Sequence, residues 1–318
     1  MESIVALMKK QSIINLLAVF LIWGSACRSN AQAISNDAGN SWLKMPVSAR
    51  DAAMGEVLAA APEDVDALAI NPAGLGLGAG GLSLSQNFWV QGLSLTHAVY
   101  RRTLSDHDGF SLSADYLNFG NIPIYTVTGS VVSANGSESP LGLNLSGGYG
   151  LALGEGWQFG LAAHLIYDNI QPNFPGSTLA VDGGVLYQFQ TLPISLAVVV
   201  TDLGSNLDGF SLPLQFKTAA AYRLGNERSV HALTLAAQGD WSLINAALSS
   251  GGMGAEYWYR NLIAVRAGYR FTESGTVSGL TGFSFGVGVR YLDWQLDYAM
   301  ATMGDFGTSN QIALSLWL

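Results

Sequence analysis

Arg266, Arg270 and Arg290 are the residues whose type and spacing could do chemistry. Arg266 and Arg270 alternate with Ile263, Val265, Ala267, Tyr269 and Phe271, and Arg290 opposes Phe283, Phe285, Val287, Val289 and Tyr291. Successive side chains of a strand point to opposite faces, so the arginines project to one side from neighbouring strands. Glu256 precedes them, and Asp293 and Asp297 follow, opposite Trp294, Leu296, Tyr298 and Met300. Two kinds of chemistry fit this cluster. Ion pairs would knit polar surfaces together inside a shielded interior. Alternatively, the guanidiniums would bind a carboxylate such as a fatty-acid head group.

No enzyme site emerges. His97, His107, His164 and His231 lie on separate strands or loops, without i, i+4 metal spacing or a nearby cysteine. His164 lies on the polar face of its strand, where a Ser/His site and a hydrogen-bonded wall residue are both open readings. No G-x-S-x-G elbow is present. Gly76, Gly78 and Gly81 have the G-x-G-x-x-G spacing, but a dinucleotide site needs a strand before that loop and a helix after it. Here the order is reversed. The formal charge of −9 gives no basic surface for nucleic acid. No catalytic residue, metal site or cofactor is expected.

The elements that position the arginines are amphipathic strands. Hydrophobic residues make up 49% of the chain and charged ones 12%, yet no apolar run after residue 33 could cross a membrane as a helix. High apolarity spread over alternate residues is the pattern of a transmembrane β-barrel. A soluble sandwich or propeller is the rival. Leu141 to Leu153 sets leucines and Tyr149 against Gly142, Asn144 and Ser146, and Trp157 to Asp168 sets large apolar residues against Gln158, His164 and Asp168. Pro193 to Asp202 is apolar on both faces and is expected to pack against something inside as well. The stretch Phe119 to Pro140 reads as an external loop carrying one short strand, Ile122 to Val127. With that strand set aside, about fourteen antiparallel strands remain, an even number as barrels require.

Residues 1–33 read as a signal peptide: Lys9 and Lys10, the apolar run Ile13 to Trp23, then Ala31-Gln32-Ala33 as a cleavage site. Lipidation at Cys27 is a second possibility. The remaining organisation is a tail and plug over 34–80 and a barrel over 81–318. Such an export signal with a barrel places the chain in the outer membrane of a Gram-negative-type bacterium, with membrane lipid around it.

Ser48 to Leu75 stands apart from the strands. Ala49 to Met54 suits a short helix, and Pro62 with Glu63, Asp64 and Asp66 is expected to open a second helical turn. Asn71-Pro72-Ala73-Gly74 then stops it, with Gly74 permitting a tight turn. Ala49-Arg50, Ala53-Met54-Gly55, Asp66-Ala67-Leu68 and Asn71-Pro72-Ala73-Gly74-Leu75 together resemble the N-terminus of PorV/PorQ-type outer-membrane proteins, of the wider FadL-like superfamily. The resemblance implies that this segment plugs the barrel. Arg50 is expected to pair with a lumen carboxylate.

Two functions follow from the resemblance. Its PorV/PorQ side implies a part in type IX secretion, binding or anchoring secreted cargo through a C-terminal sorting domain together with other secretion components. External loops such as Phe119 to Pro140 and Leu203 to Leu212 would be the contact surface. Its FadL side implies passive passage of long-chain fatty acids or other hydrophobic small molecules, with the plug moving to open a lateral exit. A barrel with neither activity is a third outcome.

Overall fold

The computed structural model describes residues 40–318 apart from 129–130, 170–174, 208, 227, 245–246 and 273–280. The signal peptide, Cys27 and most of the tail before the plug lie outside the described residues.

Sixteen strands follow one another: β1 (Gly81–Phe88), β2 (Ser94–Ser105), β3 (Asp108–Asn118), β4 (Ile122–Thr128), β5 (Val131–Glu138), β6 (Leu141–Gly154), β7 (Trp157–Asp168) and β8 (Gly176–Gln188), then β9 (Ile194–Gly204), β10 (Gln215–Leu224), β11 (His231–Ser242), β12 (Ala247–Tyr259), β13 (Ile263–Thr272), β14 (Thr281–Tyr291), β15 (Trp294–Met303) and β16 (Thr308–Trp317). Fourteen close an antiparallel barrel in which each strand pairs with its sequence neighbours, β3 passing directly to β6. The seam joins β1 to β16 from Gly81↔Trp317 to Phe88↔Asn310. The short strand expected in the loop after β3 has a partner that the sequence reading missed. β4 and β5 form a separate two-stranded hairpin.

The rim at which β1 begins and β16 ends is called the terminal rim, and the opposite one the distal rim. Alternation decides which side chains leave the barrel. Leu161, Leu179 and Val265 are exposed on the outer face while Ala162, Ala180 and Arg266, one residue away, are buried. Outward aromatics gather at both ends, with Tyr149, Trp157, Tyr291 and Trp294 toward the terminal rim and Phe88, Tyr116, Phe271 and Phe283 toward the distal one. An apolar wall between two aromatic girdles is a bilayer-facing surface. No helix of the described residues is long and apolar enough to cross a membrane. The strands do the crossing.

The lumen is filled by Ser41 to Gly76. A 3-10 turn (Ser41–Lys44) is followed by α1 (Ala49–Ala53), a second 3-10 turn (Leu58–Ala60), α2 (Ala67–Ile70) and a third 3-10 turn (Pro72–Gly76). Met54, Val57 and Leu58 to Ala61 form one apolar cluster with Ala197 and Val199 of β9. Both faces of β9 are apolar because one meets lipid and the other meets the plug. The second helix differs from expectation, since α2 begins at Ala67 and has no acidic residue in its first turn. Arginines take the preceding acidic residues instead. Arg101 donates to the carbonyls of Glu63 (3.2 Å) and Asp64 (2.6 Å), Arg223 binds the Glu63 carboxylate, and Arg50 lies 3.4 Å from Asp64 Oδ2. Those bonds engage residues 63 and 64, while the carbonyls of Asp64 and Asp66 accept from Ala67 N (3.3 Å) and Ala69 N (3.1 Å) at the start of α2.

Candidate functional site

The arginine cluster resolves into two groups. In the first, Arg50 of α1 binds Glu256 of β12 through Nε (2.9 Å) and Nη2 (2.8 Å). Arg266 of β13 shares that carboxylate at 2.7 Å and reaches Asp297 of β15 at 2.6 Å. Glu256 and Asp297 have few alternatives, being buried with arginines on either side. Gln295 donates to Asp297 Oδ2 (2.6 Å) and accepts from Arg290 at 2.6 and 2.9 Å. Arg290 also binds Asn261 and stacks between the rings of Trp258 (5.0 Å) and Trp317 (5.2 Å). Charged hydrogen bonds in a shielded lumen are strong, but their net value is offset by desolvation.

Asp293 does not join this lattice. It lies exposed in the turn between β14 and β15, where its carbonyl accepts from Trp317 N. The alternation that places Asp297 and Gln295 inside stops at the first residue of β15, so extending it two residues further assigns a turn residue to the lumen. Arg270 belongs to the second group, nearer the distal rim. It donates to Asp240 Oδ2 (2.5 Å), Ser250 Oγ (2.7 Å) and the carbonyls of Gly55 and Glu56. Glu56, Asp240, Trp258 and Gln295 were not singled out in sequence. Asp240 and Gln295 carried a signal, as polar members of apolar strands.

The opposite wall uses histidines. His97 of β2 lies between Asp115 of β3 (2.5 Å) and Asp66 of the plug (3.7 Å). Asn144 of β6 donates to Asp115 at 2.9 Å, and Ser146 donates to Asn144 Oδ1 at 3.3 Å. Ser146 Oγ lies 2.8 Å from His164 Nδ1, and His164 Nε2 lies 3.1 Å from Asp182 Oδ2. Serine, histidine and aspartate thus stand in a row. Ser146 is buried and lies outside the walls of both lumenal cavities described below. A nucleophile needs room for a reacting carbonyl, and this serine has none.

The other plug-motif residues occupy two glycine cradles. Asn71 holds the turn: its Oδ1 accepts from Ala73 N (3.0 Å) and its Nδ2 donates to Ala59 O (2.8 Å). Pro72 and Ala73 lie against β7 so closely that a Cβ at Gly160 would fall on the Pro72 carbonyl; one at Gly184 of β8 would fall on Asn71. On the other side, Met54 and Gly55 cross β12 and β13, where Gly254 and Gly268 leave space for their backbone. Gly55 itself has φ of 75°, a left-handed conformation suited to glycine. Gly74 is needed for proximity rather than for its turn, because a Cβ there would strike Pro62.

Two lumenal cavities are lined by described residues. A distal one of about 730 Å3 is lined by Trp89, Phe271 and Phe306 at the rim, by Gln311 and Ala299 on the wall, and by Ala52, Gly55 and Glu56 of the plug as its floor. A smaller one of about 110 Å3 lies under the strap Leu43–Ser48 and is lined by Asp51, Asp115, Asp182, Asp202 and Asp240 with Lys217 and Arg270. Pro46, Glu56 and Arg270 border both. No group of three or more His, Cys, Asp or Glu among the described residues is arranged to hold a metal ion.

No protein-family model matches the chain, and no curated protein matches it in sequence. Solved structures do match in fold. The Pseudomonas putida toluene transporter TodX aligns at a TM-score of 0.59 and 13% identity over 84% of this chain and 96% of that one. The monoaromatic hydrocarbon channel CymD aligns at 0.59 and 10% over 85% and 96%. A Pseudomonas aeruginosa FadL homologue aligns at 0.51 and 11% over 86% and 98%. At such identities the likeness is one of architecture. This chain has the FadL-like fold, a closed fourteen-stranded transmembrane barrel with a small helical plug.

Proposed function

We propose that this chain is an outer-membrane barrel that admits small hydrophobic molecules through its distal cavity. The observation that carries the reading is the cavity itself, about 730 Å3 in size, rimmed by Trp89, Phe271 and Phe306 and closed below by the plug. A concave, mostly apolar site of this size with a few polar groups suits a small ligand. The lipid-facing exterior and the architecture shared with hydrocarbon channels support the same reading and an outer-membrane address. Below the floor the lumen is packed, so onward passage needs the plug to shift or the wall to part. The wall is thinnest in pairing where the β13–β14 ladder stops, at Tyr269↔Phe283 beside the cavity. Uptake of radiolabelled toluene by cells producing the barrel tests the proposal. Uptake above that of cells without the barrel, abolished by filling the cavity with Ala299→Phe, is the expected result. Equal uptake with and without the barrel would overturn it.

A secretion role, with cargo carrying a C-terminal sorting domain, is the second reading. The Ser48–Leu75 motif suggests it, and the structural neighbours lend it no support. The β4–β5 hairpin offers it a surface, with Ile122, Tyr125 and Val132 exposed on a sheet that pairs with no barrel strand. Gentle purification from the native membrane tests it. Secreted proteins sharing one C-terminal domain should then co-purify.

A further inference from the structure

The distal cavity has an uneven supply of hydrogen-bonding groups. Four of its donor side chains are spent. Arg270 gives Nη2 to Asp240 and Ser250, Nη1 to the carbonyls of Gly55 and Glu56, and turns Nε toward Glu56 Oε2 at 3.5 Å. The hydroxyls of Ser284, Thr302 and Ser309 donate to Ala53 O, Phe283 O and Asn87 Oδ1. The acceptors are not spent. Gln311 is only 2% exposed, its Nε2 donates to Val47 O (2.7 Å) and Ser85 Oγ (3.3 Å), and its Oε1 has no partner. Glu56, on the plug floor, keeps 28% of its side chain exposed and meets Arg270 only at that longer distance.

A buried acceptor without a donor is costly, and a ligand that brings one recovers the loss. A carboxylate would bring more acceptors and a negative charge toward Glu56, with the nearby guanidinium already occupied. Aromatic faces at the rim, Trp89 among them, accept apolar groups and cations alike. We infer that the distal cavity selects apolar molecules ending in a hydrogen-bond donor, protonated amines before alcohols, over carboxylates. This inference rests on the reading of the cavity as the entry site for hydrophobic molecules. Glu56 supplies the charge and Gln311 the neutral acceptor.

The test uses the full barrel in phosphatidylcholine nanodiscs and four probes of one length: octylamine, octanol, octane and octanoate. Titration calorimetry at neutral pH, with empty nanodiscs subtracted, reads their binding. The expected order is amine, alcohol, alkane, carboxylate. Glu56→Gln should reduce the lead of octylamine over octanol by about tenfold, the scale of one charge-assisted hydrogen bond. Gln311→Met should weaken octylamine and octanol together and leave octane unchanged. Octanoate binding as tightly as octylamine, or variants that leave the four affinities unchanged, would overturn the inference and spare the channel reading. Absence of binding by all four would overturn both.

Discussion

The two walls that hold the plug are built from different chemistry. On β12 to β15, Arg50, Glu256, Arg266 and Asp297 form a lattice of ion pairs. On β2 to β8, Arg101 donates to the plug carbonyls of Glu63, Asp64 and Gly74, and His97 lies 3.7 Å from Asp66. One side of the plug is held by a lattice of ion pairs, the other by a guanidinium on backbone carbonyls and a histidine beside a plug carboxylate. The plug carboxylates sharpen the contrast. Burial, with Glu56 nearby, pushes the Asp51 carboxyl up to about 7. Burial, with Asp64 nearby, pushes Asp66 up to about 6, against the pull of His97. Asp51 lines the acidic cavity, and Asp66 faces the histidine wall.

The largest effect is expected from Glu256→Gln. It leaves Arg50 and Arg266 buried without their shared carboxylate, a loss of about 3–5 kcal/mol. Thermal unfolding of the purified barrel measures it, and an unfolding temperature equal to wild type would refute the lattice's structural role. Next come the cradles. Gly160→Ala and Gly254→Ala each drive a methyl into the plug backbone, costing about 1–3 kcal/mol. Hydrogen exchange should show the first loosening Asn71 to Leu75 and the second loosening Met54 and Gly55. Identical exchange patterns in the two variants would mean that the walls act as one unit.

A pH titration reads the two plug carboxylates. Both aspartates have pKa values raised in the seated plug, so their contribution is complete below the ordinary value of 3.8. It is lost as pH rises through about 6 for Asp66 and about 7 for Asp51. Limited proteolysis of the plug should therefore quicken over that interval, and Asp51→Asn should flatten the upper part of the curve. The smallest effect belongs to Arg290→Lys, which keeps the charge but loses guanidinium stacking between Trp258 and Trp317, worth about 0.5–1 kcal/mol. A small fall in unfolding temperature is the expected readout.

Much of the barrel was legible because alternation is a local signal. Arg266 and Val265 declare their faces without knowledge of any neighbour, and the same rule places Gln295 and Asp297. It fails where a strand ends, as Asp293 shows. The plug was legible as a segment that lacks this alternation, and its helices less so. Helix α2 starts late because arginines far along the chain claim the backbone of residues 63 and 64. The partners of Arg50 were out of reach for a related reason. Glu256 lies 206 residues away, and no periodicity reports which lumen carboxylate faces the plug. The cradle glycines look like any other glycines in a strand until the plug is placed against them.

The paired cradles have a mechanical consequence. Asn71-Pro72-Ala73 rests on β7 and β8, and Met54-Gly55 rests on β12 and β13, so the short chain between them spans the lumen from wall to wall. At Gly160, Gly254 and Gly268 backbone is seated on backbone, and at Gly184 the strand receives the Asn71 side chain, itself tied to Ala59 and Ala73. The plug thus acts as a strut across one diameter and holds the girth of the barrel there. Any widening must begin outside the braced section, toward the distal rim.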